Sequence, residues 1–296
     1  MQLDHQLTKP PTAGLARRLG TAVRVYTGVS PALIAVGLAF LYPTALLIWL
    51  SFTDPQPGLG NYTAIFSDSL AMTVIARTLR MAGTVTVVTA LLAYAYAYVM
   101  TAVGARMRAV MLVLVLMPFW TSLMARTFAW VVLLQERGPV DDLFSLTPIG
   151  SVELLGTTTG VTIAMTQVMM PFFVLPLFAS LRGIDRRLID AALGMGARPI
   201  VAFFKVYLPL SLPGILAGAA MVFTLSLGFY VTPELLGTPR ESMVARLMAS
   251  KVDPLLQFGA AGALAVVVLL ITLALLGVIL TVLRVRGGVE TTGGSK

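Results

Sequence analysis

Very little in this sequence does chemistry by itself. It holds no cysteine and one histidine, His5, which rules out thiol catalysis, disulfides and zinc-thiolate sites and offers no imidazole outside a polar N-terminal stretch. What stands out instead is a polar island from Asp185 to Pro209, set between two strongly apolar segments. Asp185, Arg186, Arg187 and Asp190 open it, Ala191 and Ala192 follow, and Gly196, Ala197, Leu208 and Pro209 punctuate the rest. Asp185 suits the N-cap of a first short helix, and Gly196 suits the positive φ that ends it. Pro199 fits the first turn of a second helix, which Pro209 is expected to close. Two short helices hinged at a glycine make a compact knob facing water. Alternatively, Arg186, Arg187 and Asp190 are only ion-pair partners three and four apart on a solvated helix. A sparser set, Trp120, Thr121, Gln167, Phe229, Tyr230 and Glu234, lies near the ends or inside the apolar segments. It offers cation–π and dipole contacts to a passing solute, although helix packing and interface anchoring account for the same residues.

The elements that hold these groups are membrane spans. Of the 296 residues, 57% are hydrophobic and only 11% charged, far from the composition of a soluble domain. Six apolar runs are long enough for a bilayer core of about 30 Å. They cover about 31–51, 78–103, 109–122 with a continuation to 134, 158–181, 212–231 and 258–283. Pro43 is expected to bend the first, and Pro171 and Pro176 to break the fourth. Gly214 and Gly218 give the fifth a face for close helix packing. The stretches 54–77, 135–157 and 238–257 are expected as loops on one side. Residues 1–28 show no short hydrophobic core followed by a cleavage site, so an N-terminal tail is expected, with the permeating bundle at 29–286 and a glycine-rich tail at 287–296.

Charge decides the orientation. The side carrying the island holds fourteen bases and four acids, a net +10, against seven bases and nine acids, a net −2, on the other. The excess of positive charge puts the island and both termini in the cytoplasm, and makes the +8 of the whole chain a sign of topology rather than of nucleic-acid binding.

With the island in place, a resemblance emerges. Asp190-Ala191-Ala192, then Gly196-Ala197, then Val206-Tyr207-Leu208-Pro209 resemble the cytoplasmic EAA loop of ABC-importer permeases, with Asp190 where that loop usually has Glu. Pro118-Phe-Trp-Thr-Ser122, Arg126, Ala129-Trp130 and Leu133-Leu134, together with Thr232-Pro-Glu-Leu-Leu-Gly237, resemble the spermidine/putrescine branch of those permeases. The resemblance implies a type I ABC importer transmembrane domain with a MetI-like core at about 76–286: an all-α membrane protein of six helices with a two-helix coupling loop at 185–209. It further implies a bacterial inner-membrane permease, not itself an enzyme, for spermidine, putrescine or a related small solute. A dimer of ABC ATPases would hold ATP and Mg, a second permease would sit alongside, and an external binding protein would deliver the solute. Asp185 to Pro209 would be the contact with the ATPase.

The residues agree that energy comes from elsewhere. The glycine-rich run Gly287 to Lys296 lacks a Gly-Lys-Ser/Thr ending and follows a membrane helix. Other solutes, organic or metal ion, remain open. A secondary transporter would be expected to carry midplane acids, and a membrane enzyme a nucleophile or acid–base pair; neither pattern is present.

Overall fold

The computed structural model describes residues 12–287 except Ile149 and Pro254; residues 1–11 of the expected N-terminal tail and 288–296 of the expected glycine-rich tail lie outside them. Every regular element among the described residues is helical. In chain order these are α1 Thr12–Thr53, α2 Gly60–Ser67, α3 Ser69–Ala102, α4 Ala105–Leu116, α5 Leu123–Leu134, α6 Pro139–Ser145 and α7 Thr158–Arg182. Then follow α8 Arg186–Gly194, α9 Pro199–Ala202, α10 Leu208–Leu227, α11 Val231–Leu236, α12 Val244–Val252 and α13 Phe258–Gly287.

Among the described residues five helical runs are long and apolar enough to cross a membrane: Ile34–Thr53, Ser69–Ala102, Thr158–Arg182, Pro199–Leu227 and Phe258–Ile279. The sixth span is broken. Ala105–Trp120 and Leu123–Ser145 pass the same test only as a pair and meet at 102°. The continuation past residue 122 therefore turns aside instead of completing a straight helix. Part of its cause is local: Pro118 has no N–H for the carbonyl four residues back, and Thr121 and Ser122 are extended, with ψ of 143° and 134°.

The chain departs from the sequence-based boundaries where local chemistry outweighs hydropathy. Helix α1 begins at Thr12, well before its apolar part, and runs through Pro31 and Pro43 without ending. Helix α3 starts nine residues earlier than expected because Asp68 caps it, its Oδ1 accepting the Leu70 N–H at 2.9 Å. Helix α7 is not broken: Pro171 and Pro176 lie inside one continuous helix, since in a packed bundle neighbours support the turns around a missing N–H. Pro209 does not close the knob's second helix either. From Pro199 the chain passes through a π turn at Phe203–Tyr207 and on into α10 as one span. The Leu208 N–H bonds back to the Phe203 carbonyl, a widened turn that makes room for the Pro209 ring. Pro209 thus sits in the first turn of α10, where a proline is tolerated.

The core is built from α3, α7 and α10, with α7 at the centre: 67% of its apolar window is buried, against 6% for the first span. Met165, Met169, Phe173 and Leu177 of α7 are fully buried. Two glycines let α10 lie against this row. A Cβ on Gly218 would stand 2.8 Å from the Phe173 ring, and one on Gly214 2.5 Å from the Ser180 Cβ, so only glycine permits the approach. Helix α1 packs on α13 at the edge of the bundle. The 238–257 segment is not a plain loop, since α12 is clipped to α3 through the Val244 N–H donating to Thr78 Oγ1 at 2.9 Å.

Candidate functional site

Two regions gather the candidate residues. The first is the knob. Asp185 caps α8, its Oδ1 accepting the Arg187 N–H at 2.9 Å, and Gly196 has φ +87°, both as their residue types dictate. The Ala197 N–H donates to the Ala192 carbonyl at 3.1 Å and the Gly196 N–H to the Leu193 carbonyl at 2.9 Å. These bonds satisfy the carbonyls at the end of α8 and fix the corner. Pro199 stands at the start of α9. Ala191 and Asp190 are exposed, Ala192 is buried, and Leu208 and Pro209 belong to α10 rather than to the knob's tip.

The ion-pair account of the knob is not realised. Among the described residues the one salt bridge is Arg246–Glu234, so Asp190 pairs with neither Arg186 nor Arg187. Arg186 instead donates from Nη2 to the Thr101 carbonyl at 2.6 Å, which ties the knob to the end of α3.

Aromatic rings make the larger tie. Phe203 and Tyr207 of the π turn stack with ring centroids 5.8 Å apart. Tyr94 and Tyr98 of α3 meet Phe203 edge-on at 5.9 and 6.1 Å. Tyr94 OH also lies 3.2 Å from Ser211 Oγ on α10. The tyrosines of the second span are thus helix contacts. The knob's outer face is apolar: Met195 is 83% exposed and Ile200 65%, with Leu188 and Phe204 also exposed beside the charged residues. Large exposed apolar patches of this kind mark contact surfaces.

The second region is the break between α4 and α5. It opens two cavities, of about 260 and 410 Å³, that share Pro118, Thr121 and Arg126. Phe229 closes the first and Gln167 the second. Gln167 Oε1 accepts the Trp130 Nε1–H at 3.0 Å, so α5 is held against α7 by one polar bond across the opening. Thr121 Oγ1 donates to the Pro118 carbonyl at 3.1 Å.

Of the six pathway candidates, three come together here: Thr121, Gln167 and Phe229. Trp120 is 75% exposed and Tyr230 43%, and neither lines either of these two cavities. Glu234 pairs with Arg246 at 3.1 Å on the surface between α11 and α12. The residue that sequence reasoning left out of the set is Arg126. It stands in both cavities, and its Nε is buried with no hydrogen-bond partner among the described residues. The signal for it was a lone arginine in an apolar run, a pattern that interface anchoring also produces. No Asp or Glu lines either cavity, and no cluster of potential metal ligands occurs among the described residues.

Taken together, the geometry is that of a helical membrane bundle with a broken span, an internal opening and a rigid projecting knob. Residues 97–286 match the family described as "Binding-protein-dependent transport system inner membrane component", and the chain belongs to it. The spermidine/putrescine transport system permease protein PotB of Haemophilus influenzae is 30% identical over 221 residues, covering 71% of this chain and 77% of that protein. The inner membrane ABC transporter permease protein YdcU of Escherichia coli is 30% identical over 226 residues, covering 69% and 72%. The resemblance to the spermidine/putrescine branch is borne out by such relatives. In fold, the chain is similar to a bacterial ABC transporter that imports the acidic polysaccharide alginate, with a TM-score of 0.69 at 20% identity over 90% of this chain and 98% of that one. The all-α importer fold expected from the sequence is therefore present. The chain is a multi-pass inner-membrane permease subunit of a transport system.

Proposed function

We propose that this chain forms part of the pathway of an ATP-driven importer and receives its driving force through the knob. A separate ATPase dimer binds ATP and Mg and seats on the knob, which faces the cytoplasm with both termini. A second permease, identical or related, completes the pathway, and an external binding protein delivers the solute. The observation that supports this reading best is the exposed apolar face of Leu188, Met195, Ile200 and Phe204 on an otherwise charged knob that is bonded to the core. Asp185, Arg186, Arg187, Asp190, Ala191 and the Gly196 corner would form the contact, while Leu208 and Pro209 would pass its motion into α10.

The chain has no cysteine, so a single Ala191→Cys reports on one place only. In the assembled transporter it is expected to cross-link to an ATP-hydrolysing subunit and to be modified only from the cytoplasmic side. Cross-linking to no such subunit, or labelling from outside, would sink the proposal.

For the solute, the relatives named for spermidine and putrescine support a polyamine or a similar small compound moving past Thr121, Gln167 and Phe229. A second reading is favoured by Arg126. A guanidinium with a buried, unpartnered Nε, and no carboxylate beside it, suits a solute that brings an oxygen acceptor or a negative charge. Uptake by Arg126→Gln separates the two. Removing the cation leaves or raises uptake of a polyamine, and lowers uptake of a solute that pairs with it.

A further inference from the structure

A pocket of about 430 Å³ lies where the knob meets the bundle, and its charges are one-sided. Arg108, Arg182 and Arg186 line it, and no carboxylate does. Arg108 and Arg182 both stand over the same ring, with guanidinium carbons 6.0 and 5.8 Å from the centroid of Phe178. Arg108 spends part of its fork on backbone, with Nε and Nη2 donating to the Met100 and Val103 carbonyls at 3.0 Å each. The Arg182 side chain makes no hydrogen bond or ion pair with any described residue and rests over the Phe178 ring.

Two like charges gathered on one ring, with a third lining the same pocket, make a site that favours an anion. Much of the remaining wall is apolar, with Leu181, Ile184, Ile189, Leu193 and Pro199 lining it. A small soluble anion would use only the arginines and leave that wall idle. A molecule with a phosphate head and a hydrocarbon tail uses both, because guanidinium groups match phosphate oxygens in pairs and basic pockets between membrane helices take anionic headgroups.

The geometry points to an anionic phospholipid, its phosphodiester held by Arg182 and Arg108 and its acyl chain laid along Ile184 and Leu193, bridging the knob to the bundle. The assignment to the inner leaflet rests on the orientation given above; the binding itself does not.

The test uses the assembled transporter in lipid nanodiscs containing phosphatidylglycerol and phosphatidylcholine, with retained lipid counted by native mass spectrometry. Phosphatidylglycerol is expected to be retained selectively, and Arg182→Gln to lower its affinity about tenfold, the equivalent of losing one charge-assisted pair. An unchanged melting temperature shows that the variant is folded. Equal retention of phosphatidylcholine, or an unaltered affinity in Arg182→Gln, overturns the proposal. So does displacement of the lipid by millimolar inorganic phosphate or glycerol phosphate, which would make the occupant a soluble anion. Labelling of Ala191→Cys from outside would move the lipid to the other leaflet and refute the orientation alone.

Discussion

Tyr98 on α3 and Tyr207 in the π turn meet edge to face, at 88° with ring centroids 5.5 Å apart. The contact joins the end of one core helix to the base of the knob, so the knob cannot rotate without parting the two rings. An edge-to-face pair contributes about 0.5–1.5 kcal/mol beyond its buried area. Tyr98→Ala is expected to leave the bundle folded and to reduce the stimulation of ATP hydrolysis by loaded binding protein. Tyr98→Phe keeps the ring and should behave as the parent. Equal stimulation in all three would show that the contact transmits nothing.

The corner of the knob gives a second prediction. Gly196 has φ +87°, whereas Gly194, two residues before it, has open space around it and no such φ. A side chain at position 196 strains the backbone by about 1–2 kcal/mol. Gly196→Val should therefore cut uptake and coupled ATP hydrolysis together, while Gly194→Ala leaves both intact. The paired measurement separates backbone geometry from mere bulk in the knob.

Packing of α10 on α7 sets the third. At Gly218 an added Cβ comes within 2.8 Å of Phe173, which is fully buried. Overpacking of this kind costs about 1–3 kcal/mol. Gly218→Ala is expected to lower the melting temperature of the detergent-solubilised transporter, and Gly83→Ala, with nothing within 4 Å, to leave it unchanged.

A fourth concerns the opening. The Trp130–Gln167 bond, at 3.0 Å, holds α5 across the break in the third span. Losing a bond of this type costs about 0.5–1.5 kcal/mol, more when its partner is left unsatisfied. Trp130→Phe and Gln167→Leu should each raise the KM for uptake several-fold. The double variant should cost less than the two singles combined, because both break the same bond. Full additivity in a double-mutant cycle would mean that the two side chains act separately.

Much of the knob was legible because its signals are local. A short acidic cap at Asp185, a glycine that must reach positive φ and a proline suited to a first turn act within a few residues, and the folded chain places all three as their types require. Pro209 misled for the converse reason. Its missing N–H suggests an end, yet the widened turn at Phe203–Tyr207 is held by rings from α3, which no window around residue 209 contains. The break after Trp120 was half legible, since Pro118 is a clear signal while the 102° turn depends on α5 packing against α11 and α7. Glu234 carries a charge near a span end in the sequence, but its partner Arg246 is supplied by α12, a helix hidden in what reads as loop.

The uninterrupted run from Pro199 to Leu227 spans roughly 40 Å at about 1.5 Å per residue. Under the proposed coupling it would work as a lever arm: a tilt of about 5° at one end would become a displacement of roughly 3–4 Å at the other. That far end stops at Gly228, next to Phe229, the ring that borders the opening beside Arg126. A closed joint at residue 209 would absorb such a swing before it reached that opening.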